Sequence, residues 1–581
     1  MNAKPFQIGL VGAGAISAGA FTGGVVDFLI LALDEWDKAK GSPGVPAHDV
    51  RLKVFSGASA GGMTAAIAAG FIGSKQPHIA DENDAKRYRG ENKLFDSWVE
   101  LIDIKQLLDV RDLKSDPNSL ASLLDSTVLS EIAERAFIPG TGARRYVDDD
   151  FQVMLTITNL RGVPYTIALN SESKAEHRMS LHADYMHFWL TKSPKKSTNL
   201  PSSAYAMDWS QLGTNDPLNK TLKMAALATG AFPIGLAPRV LTHGFAQGNL
   251  HNLYADRLWD VPGDPNAVPH FCRQKHAIPT RFGEVPSNYV YQFKCVDGGV
   301  MNNEPLELAR QCLAGEGARN PREGDKADAA VILIDPFPSD EEFDVKAATD
   351  VDLLATIKDM FGALVNQARF KPDELVLASQ DNVYSRFLIS PSRSDRKKGA
   401  IACGSLGGFG GFLKREFRAH DYFLGRRNAQ KFLRDHFSLP ETNPLFAAET
   451  WSSEQLSAFY VRDASGNPVV YTDSAGKPVY KADGSPVYML PIVPLVGEAR
   501  QKLHLPSWPS FSDEELAQVL DQVDRRAEAV LHRMAEIYLH FTSFLKRGVS
   551  ALLVAYLTRK IRRYAEKFLR DALVKYGLMR A

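Results

Sequence analysis

The chain has 581 residues, long enough for two to four folding units and a large core. Its 45% apolar and 23% charged residues are ordinary for a globular protein. Its 68 basic and 68 acidic residues cancel, which argues against nucleic acid as the main partner.

The N-terminus reads MNAKPFQIGLVGAG. A signal peptide needs a longer apolar stretch and a cleavage site, and no run of 18 uncharged apolar residues follows, so a cytoplasmic protein is expected. Residues 6–11 (FQIGLV) predict a strand, then a glycine loop and a helix over about 19–40. Residues 51–55 (RLKVF) predict a second strand, running into SGASAGG and a helix of small residues to about 70. Residues 94–136 have helical periodicity broken near Pro117. Residues 151–158 are a strand by β-branched content, with 165–169 expected to pair with it, and 329–335 (AAVILID) read as a buried strand ended by Pro336. Strands separated by helices indicate an α/β core with a mainly parallel sheet, assigned to residues 6–340. Residues 341–581 read as mostly helical. Within them, 463–488 repeat a G-x-P-V unit three times and are read as a small β-meander, while 541–580 form a basic helix. Cys272, Cys295, Cys312 and Cys403 contain no CxxC pair, so no metal or cofactor is expected, and so few thiols fit a reducing compartment.

Residues 57–61, Gly-Ala-Ser-Ala-Gly, form a G-x-S-x-G pentapeptide between a strand and a helix. A serine on so sharp a turn is crowded on both sides. Gly57 and Gly61 remove the clashing side chains, and Ser59 is left with its hydroxyl at a helix N-terminus, where it is a nucleophile candidate. The bland alternative is a glycine-rich helix cap. An α/β-hydrolase builds several strands before its nucleophile, whereas Ser59 has room for two.

The loop Gly12-Ala13-Gly14-Ala15 admits two uses. One is a dinucleotide fingerprint, but the second strand leads into the serine turn and not to an acidic residue. The other is an oxyanion hole, whose backbone N–H groups hold the negative oxygen of an acyl intermediate. Residues 296–305 (VDGGVMNNEP) then place Asp297 at a strand end before Gly298 and Gly299. Its bland reading is an Asx turn.

Together these segments resemble the patatin-like phospholipases: an early glycine loop, an early G-x-S-x-G, and D-G-G some hundreds of residues on. ALATGAFPIGLAP (226–238) and the trio Asn302, Asn303 and Pro305 add to the likeness, which covers about residues 6–335. The resemblance implies a three-layer fold and a lipid acyl hydrolase with a Ser59–Asp297 dyad and no catalytic histidine. Phospholipids or other acyl esters would be its substrates. The loop departs from the family pattern at Ala18, where a basic residue belongs, and a catalytically weak lipid- or protein-binding relative is the alternative reading.

GSLGGFGGF (404–412) implies close backbone packing, and His420 is a candidate third member for a Ser-Asp-His triad. Between residues 546 and 580 there are ten Lys/Arg and two Asp/Glu, so peripheral contact with an anionic membrane is one expectation. The apolar positions move from Leu552, Leu553 and Tyr556 to Ile561, Tyr564 and Phe568. That drift reads as packing against the rest of the protein, since a surface helix keeps one stripe.

Overall fold

The computed structural model describes residues 4–115, 119–140, 142, 144–168, 176–192, 204–243, 290–314, 320–338, 363, 383–396, 399–446, 453–539 and 544–580. Nine strands form one sheet: β1 (Phe6–Gly12), β2 (Val50–Gly57), β3 (Val147–Ala168), β4 (Glu176–Thr191), β5 (Ala204–Asp208), β6 (Arg239–His243), β7 (Tyr291–Asp297), β8 (Ala329–Ile334) and β9 (Arg386–Ile389). Their order is β5-β4-β3-β2-β1-β8-β9, with β7 pairing both β3 and β6. The run from β3 to β9 is parallel throughout; β3–β4, β3–β7 and β6–β7 are antiparallel.

Alternation along the strands makes two buried faces. Ile8, Leu10, Ala330 and Ile332 join the large core beneath α1 (Gly19–Ala39) and α2 (Ser59–Gly73). Val11, Val331 and Leu333 face the other way, under Ala309 and Leu313 of α5 (Leu306–Ala314). Helices α3 (Thr127–Ala136) and α4 (Pro217–Thr229) complete the part around the sheet. This three-layer arrangement is the expected α/β core, except that β9 brings residues beyond the expected boundary at 340 into its sheet.

The C-terminal region is mostly helical, with α6 (Arg415–Asp435), α7 (Asp513–Leu539) and α8 (Phe544–Lys575). Helix α6 lies directly on α1: a Cβ on Gly24 would collide with the Tyr422 carbonyl, and one on Gly425 with that of Phe21. The stretch Ile16–Ala39 is, among the described residues, the one helix long and apolar enough to cross a membrane, but 94% of its apolar 18-residue segment is buried in the protein. Its Asp27 is ion-paired to Arg426 of α6 and, at 2.6 Å, to His78.

Several local expectations are corrected. Residues 151–158 and 165–169 do not pair with each other; 151–158 and 165–168 are parts of the single strand β3, bulged between Thr158 and Val163, and their partner is β4. The described residues of 94–136 form a series of short helices, one of them started by a side-chain cap at Asp103, and the break expected near Pro117 lies outside the described residues. The meander expected over 463–488 is present in reduced form, as successive antiparallel bridges such as Thr472–Pro478 and Tyr480–Pro486 in place of continuous strands. Asp463, Asp473 and Asp483 each accept an N–H two residues on, so the repeat is one of Asx turns.

Candidate active site

Strand β2 ends at Gly57, the chain turns at Ala58, and α2 starts at Ser59 with φ of 50°. That left-handed conformation is strained for serine, and it persists because the surroundings leave no alternative. A Cβ on Gly57 would meet the Gly61 carbonyl, and one on Gly61 would meet that of Gly12. The end of β1 is thereby pressed on the start of α2, and Ala58 N–H donates to Gly12 O at 3.1 Å.

Asp297 reaches the serine through strand register. Gly57 is the last residue of β2 to pair with β3, opposite Leu155. Two residues further along β3, Ile157 pairs with Asp297 of β7. Strand β7 therefore takes the place beside β3 that β2 has vacated, and its terminal carboxylate meets the residue β2 has just delivered. Ser59 Oγ donates to Asp297 Oδ2 at 2.6 Å, and Gly299 N–H donates to Asp297 Oδ1 at 2.7 Å. Asp297 N–H donates to Ala231 O at 2.9 Å, and Thr158 Oγ1 donates to the Asp297 carbonyl at 2.8 Å. Both side chains are buried. Burial pushes the Asp297 carboxyl up to about 7, against the hydrogen bonds from Ser59 and Gly299, which pull it down.

The loop after β1 lies beside the serine: a Cβ on Gly14 would come within 3.2 Å of Ser59 Cβ. Two of its amides are already committed, Ala13 N–H to Ile334 O at 3.0 Å and Gly14 N–H to Asn303 O at 3.1 Å. Gly12 belongs to β1, in register with Gly57 and Ile334. Of the four loop residues expected to bind an oxyanion, Ala15 alone has its N–H outside these pairings among the described residues. The next residue, Ile16, takes φ of 49°, an outlier for a β-branched side chain.

The free space beside Ser59 and Asp297 is about 40 Å³ and its remaining lining is apolar, including Ile16, Met63, Trp98, Phe232, Phe409 and Phe412. Phe409 and Phe412 come from the glycine-rich segment of the C-terminal region. Ser17 Oγ ties that segment to the loop after β1, donating to Gly408 O at 2.5 Å and accepting from Gly411 N–H at 3.0 Å. Among the described residues, no histidine lines this pocket. His420 is buried in α6, bonded to Asp421 Oδ1 at 2.6 Å and to Arg393, with its ring 5.0 Å from that of Trp508. The structure thus does not bring His420 to Ser59 and Asp297.

A strained serine at a strand-to-helix turn, bonded directly to an aspartate in an apolar pocket, is a dyad geometry. A model of the patatin-like phospholipase family matches residues 10–310. The chain belongs to that family. A protein of Sinorhizobium fredii, y4iI, itself uncharacterized, is 34% identical over 574 residues, covering 92% of this chain and 77% of that protein.

Three supports of this patatin-like site escape sequence reasoning. Thr229 Oγ1 accepts Ser59 N–H at 3.0 Å. Ser56 Oγ donates to Pro305 O at 2.9 Å, and Thr156 Oγ1 to Asn302 O at 3.2 Å, so the turn after Asp297 also braces the serine turn. The Asn-Asn-x-Pro pattern after D-G-G was the available signal for the last two. Thr229 lies in the 226–238 segment that adds to the family likeness, but nothing local in the sequence says that its hydroxyl meets an amide 170 residues away.

Proposed function

We propose that this patatin-like protein is a lipid acyl hydrolase working through a Ser59–Asp297 dyad and an acyl-enzyme. The observation carrying this reading is the 2.6 Å hydrogen bond from Ser59 Oγ to Asp297 Oδ2 at the floor of an apolar pocket. Ser59 Oγ attacks the ester carbonyl as its proton passes to Asp297. The tetrahedral oxygen is held by the amides of Ala15 and of Ala60, the residue after the nucleophile. Collapse breaks the ester C–O bond, and the leaving alkoxide takes the proton from Asp297. Water then attacks the acyl carbonyl, gives a proton to Asp297, and Ser59 Oγ recovers that proton as the fatty acid leaves. A carboxyl raised to about 7 is matched to this task, since it accepts a proton readily and returns it.

The test is labelling with a fluorophosphonate followed by peptide mapping, beside turnover of short acyl esters by the wild type and Ser59→Ala. Label on Ser59 and loss of turnover in the variant are expected. One observation favours a second reading, a lipid-binding protein without turnover: two of the four loop amides already have backbone acceptors. A folded wild type that takes no label would establish that alternative.

A further inference from the structure

Helix α8 has two unlike sides. Val554, Leu569 and Leu573 are buried, and Arg562 and Arg570 pair with Asp521 and Asp513 of α7 at 3.0 and 2.7 Å. The other side is apolar and unburied. Leu552 is 76% exposed, Tyr556 56%, Tyr564 77% and Phe568 61%, with Leu553 also exposed. The expectation that the drifting apolar positions pack on the protein is therefore overturned: both sets face outward, and Ile561 is exposed with them.

Basic residues are interleaved with these side chains. Leu552, Tyr556, Arg559, Arg563 and Lys567 succeed one another at spacings of four and three, so they form one ridge. Leu553, Lys560, Tyr564 and Phe568 form the neighbouring ridge. Arg559, Lys560, Arg563 and Lys567 have no ion-pair partner among the described residues, unlike Arg562 and Arg570.

We infer that this exposed face of α8 is where the protein seats on an anionic lipid bilayer, which rests on the lipid-ester reading of the active site. Cations beside aliphatic and aromatic side chains suit the headgroup boundary, where the charges meet lipid phosphates and the apolar groups enter the acyl region. A second copy of the chain fits worse, because a two-fold contact through this face would set the same four cations against themselves. The helix is also tied to the catalytic pocket. The Tyr576 ring packs at Gly404, in the segment that carries Phe409 and Phe412. Its partner α7 sends Arg526 to the Leu123 carbonyl at 2.8 Å and to the Asp109 carbonyl at 2.6 Å. Leu123 and Leu124 N–H in turn donate to Ile234 and Gly235 O at 2.9 and 3.0 Å. Leu124 lines the pocket, while its neighbour Leu123 and Ile234 are exposed, Ile234 in a left-handed conformation with φ of 69°.

Because α8 also fills the core with Leu569 and Leu573, truncation would confound folding with binding, and surface substitutions are the appropriate probe. Full-length protein carrying Ser59→Ala, so that lipid is not consumed, is sedimented with vesicles of phosphatidylcholine alone or mixed with phosphatidylglycerol. Binding is expected to the anionic vesicles, weakening with salt. It should fall at least tenfold on adding R559Q, K560Q, R563Q and K567Q, and equally on adding L553S, Y564S and F568S. Folding is checked by circular dichroism and, in the Ser59 background, by turnover of a soluble short-chain ester, which both sets should retain. Folded variants that bind as well as their parent overturn the inference, as does a parent that does not bind. A concentration-dependent dimer broken by the apolar set, with no vesicle binding, assigns the face to self-association instead. Vesicle binding without ester turnover by the wild type would sink the catalytic reading and leave the docking surface standing.

Discussion

Thr229 accepts the backbone N–H of Ser59 through its hydroxyl oxygen at 3.0 Å, where the serine is held at φ of 50°. The N–H groups in the first turn of a helix have no partner within the helix. At α2 one of them is taken by a side chain from α4, which fixes the backbone of Ser59 without touching its hydroxyl. Thr229→Val keeps the shape and removes the acceptor. Leaving that amide buried and unsatisfied should cost about 1–3 kcal/mol of stability. It should also lower kcat on a short ester by roughly tenfold for each 1.4 kcal/mol lost from the transition state. Thr229→Ser should restore both. A valine variant with wild-type turnover and melting temperature would show that the hydroxyl is incidental.

The buried carboxyl of Asp297 carries a stability cost. Its carboxyl is raised from 3.8 to about 7, first by burial, so the native state binds a proton that the unfolded chain releases. The stability linked to this group is fully present below about pH 4 and is lost as pH rises through 7. A shift of that size corresponds to about 4 kcal/mol when the group is fully ionised. Asp297→Asn should therefore melt higher than wild type at pH 8, with the advantage gone at pH 4, while ester turnover is abolished. In the wild type kcat/KM should rise with pH through about 7 and then level off. A variant melting no higher than wild type at pH 8 would show that the carboxylate is not strained by burial.

The contrast between what could and could not be read from the sequence follows from range of interaction. Strand β8 is buried on both faces and appears as a continuous apolar run, β1 is interrupted by Gln7 alone, and β2 alternates apolar residues with half-buried Arg51 and Lys53 before its buried end. The Ser59 and Asp297 turns carry glycines that local sterics demand, so both were visible. Strand β4 was not, because EHRMSLHADYMHFWLT mixes polar and apolar positions without a clean period. The bulge at Asn159–Gly162 reads as a turn, which split β3 in two. In α8 the apolar drift was seen correctly, but its direction was not. Periodicity gives the relative angle of side chains and does not say which side the protein occupies, and that was set by Val554, Leu569 and Leu573 together with two Arg–Asp pairs to α7.

The contact between α1 and α6 depends on a buried charge cluster. Burial alone would raise the Asp27 carboxyl, but Arg426 and His78 outweigh it and hold Asp27 below its ordinary value. Arg426→Met leaves Asp27 and His78 behind without the guanidinium, and should cost about 3–5 kcal/mol. The double variant Asp27→Asn with Arg426→Met should recover much of that, since both charges are gone. The Asp27 contribution is present above the ordinary carboxylate range and lost as pH falls through its lowered native value, so the double variant should also lose less stability on acidification. Chemical denaturation at neutral pH and at pH 3 measures both effects. Additive effects of the two substitutions would show that Asp27 and Arg426 do not act as a pair.

The pocket makes the last expectation. Its free space of about 40 Å³ holds about three waters at roughly 10–15 Å³ each, so the apolar walls set how much of an acyl chain could lie beside Ser59. Two walls are phenyl rings from the C-terminal region: Phe409 lies edge-on to Phe232 with centroids 5.6 Å apart, and Phe412 packs on Phe409 at 6.0 Å. The backbone carrying them is held in left-handed conformations at Leu406, Gly407 and Gly408 and pinned by Ser17. On the acyl-hydrolase reading, the rings this rigid segment presents would limit the length of an acyl chain held beside Ser59. Phe412→Ala removes one ring from the space beside Ser59 without altering the Ser59–Asp297 bond. On a series of nitrophenyl esters of increasing acyl length, the optimum should move to longer chains, with kcat/KM for the longest rising severalfold and that for the acetate nearly constant. The variant should also lose about 3–5 kcal/mol of stability if the cavity does not collapse, so assays belong well below its melting temperature. Equal loss across all chain lengths would mean that Phe412 serves only the packing of the segment and has no part in selecting the acyl group.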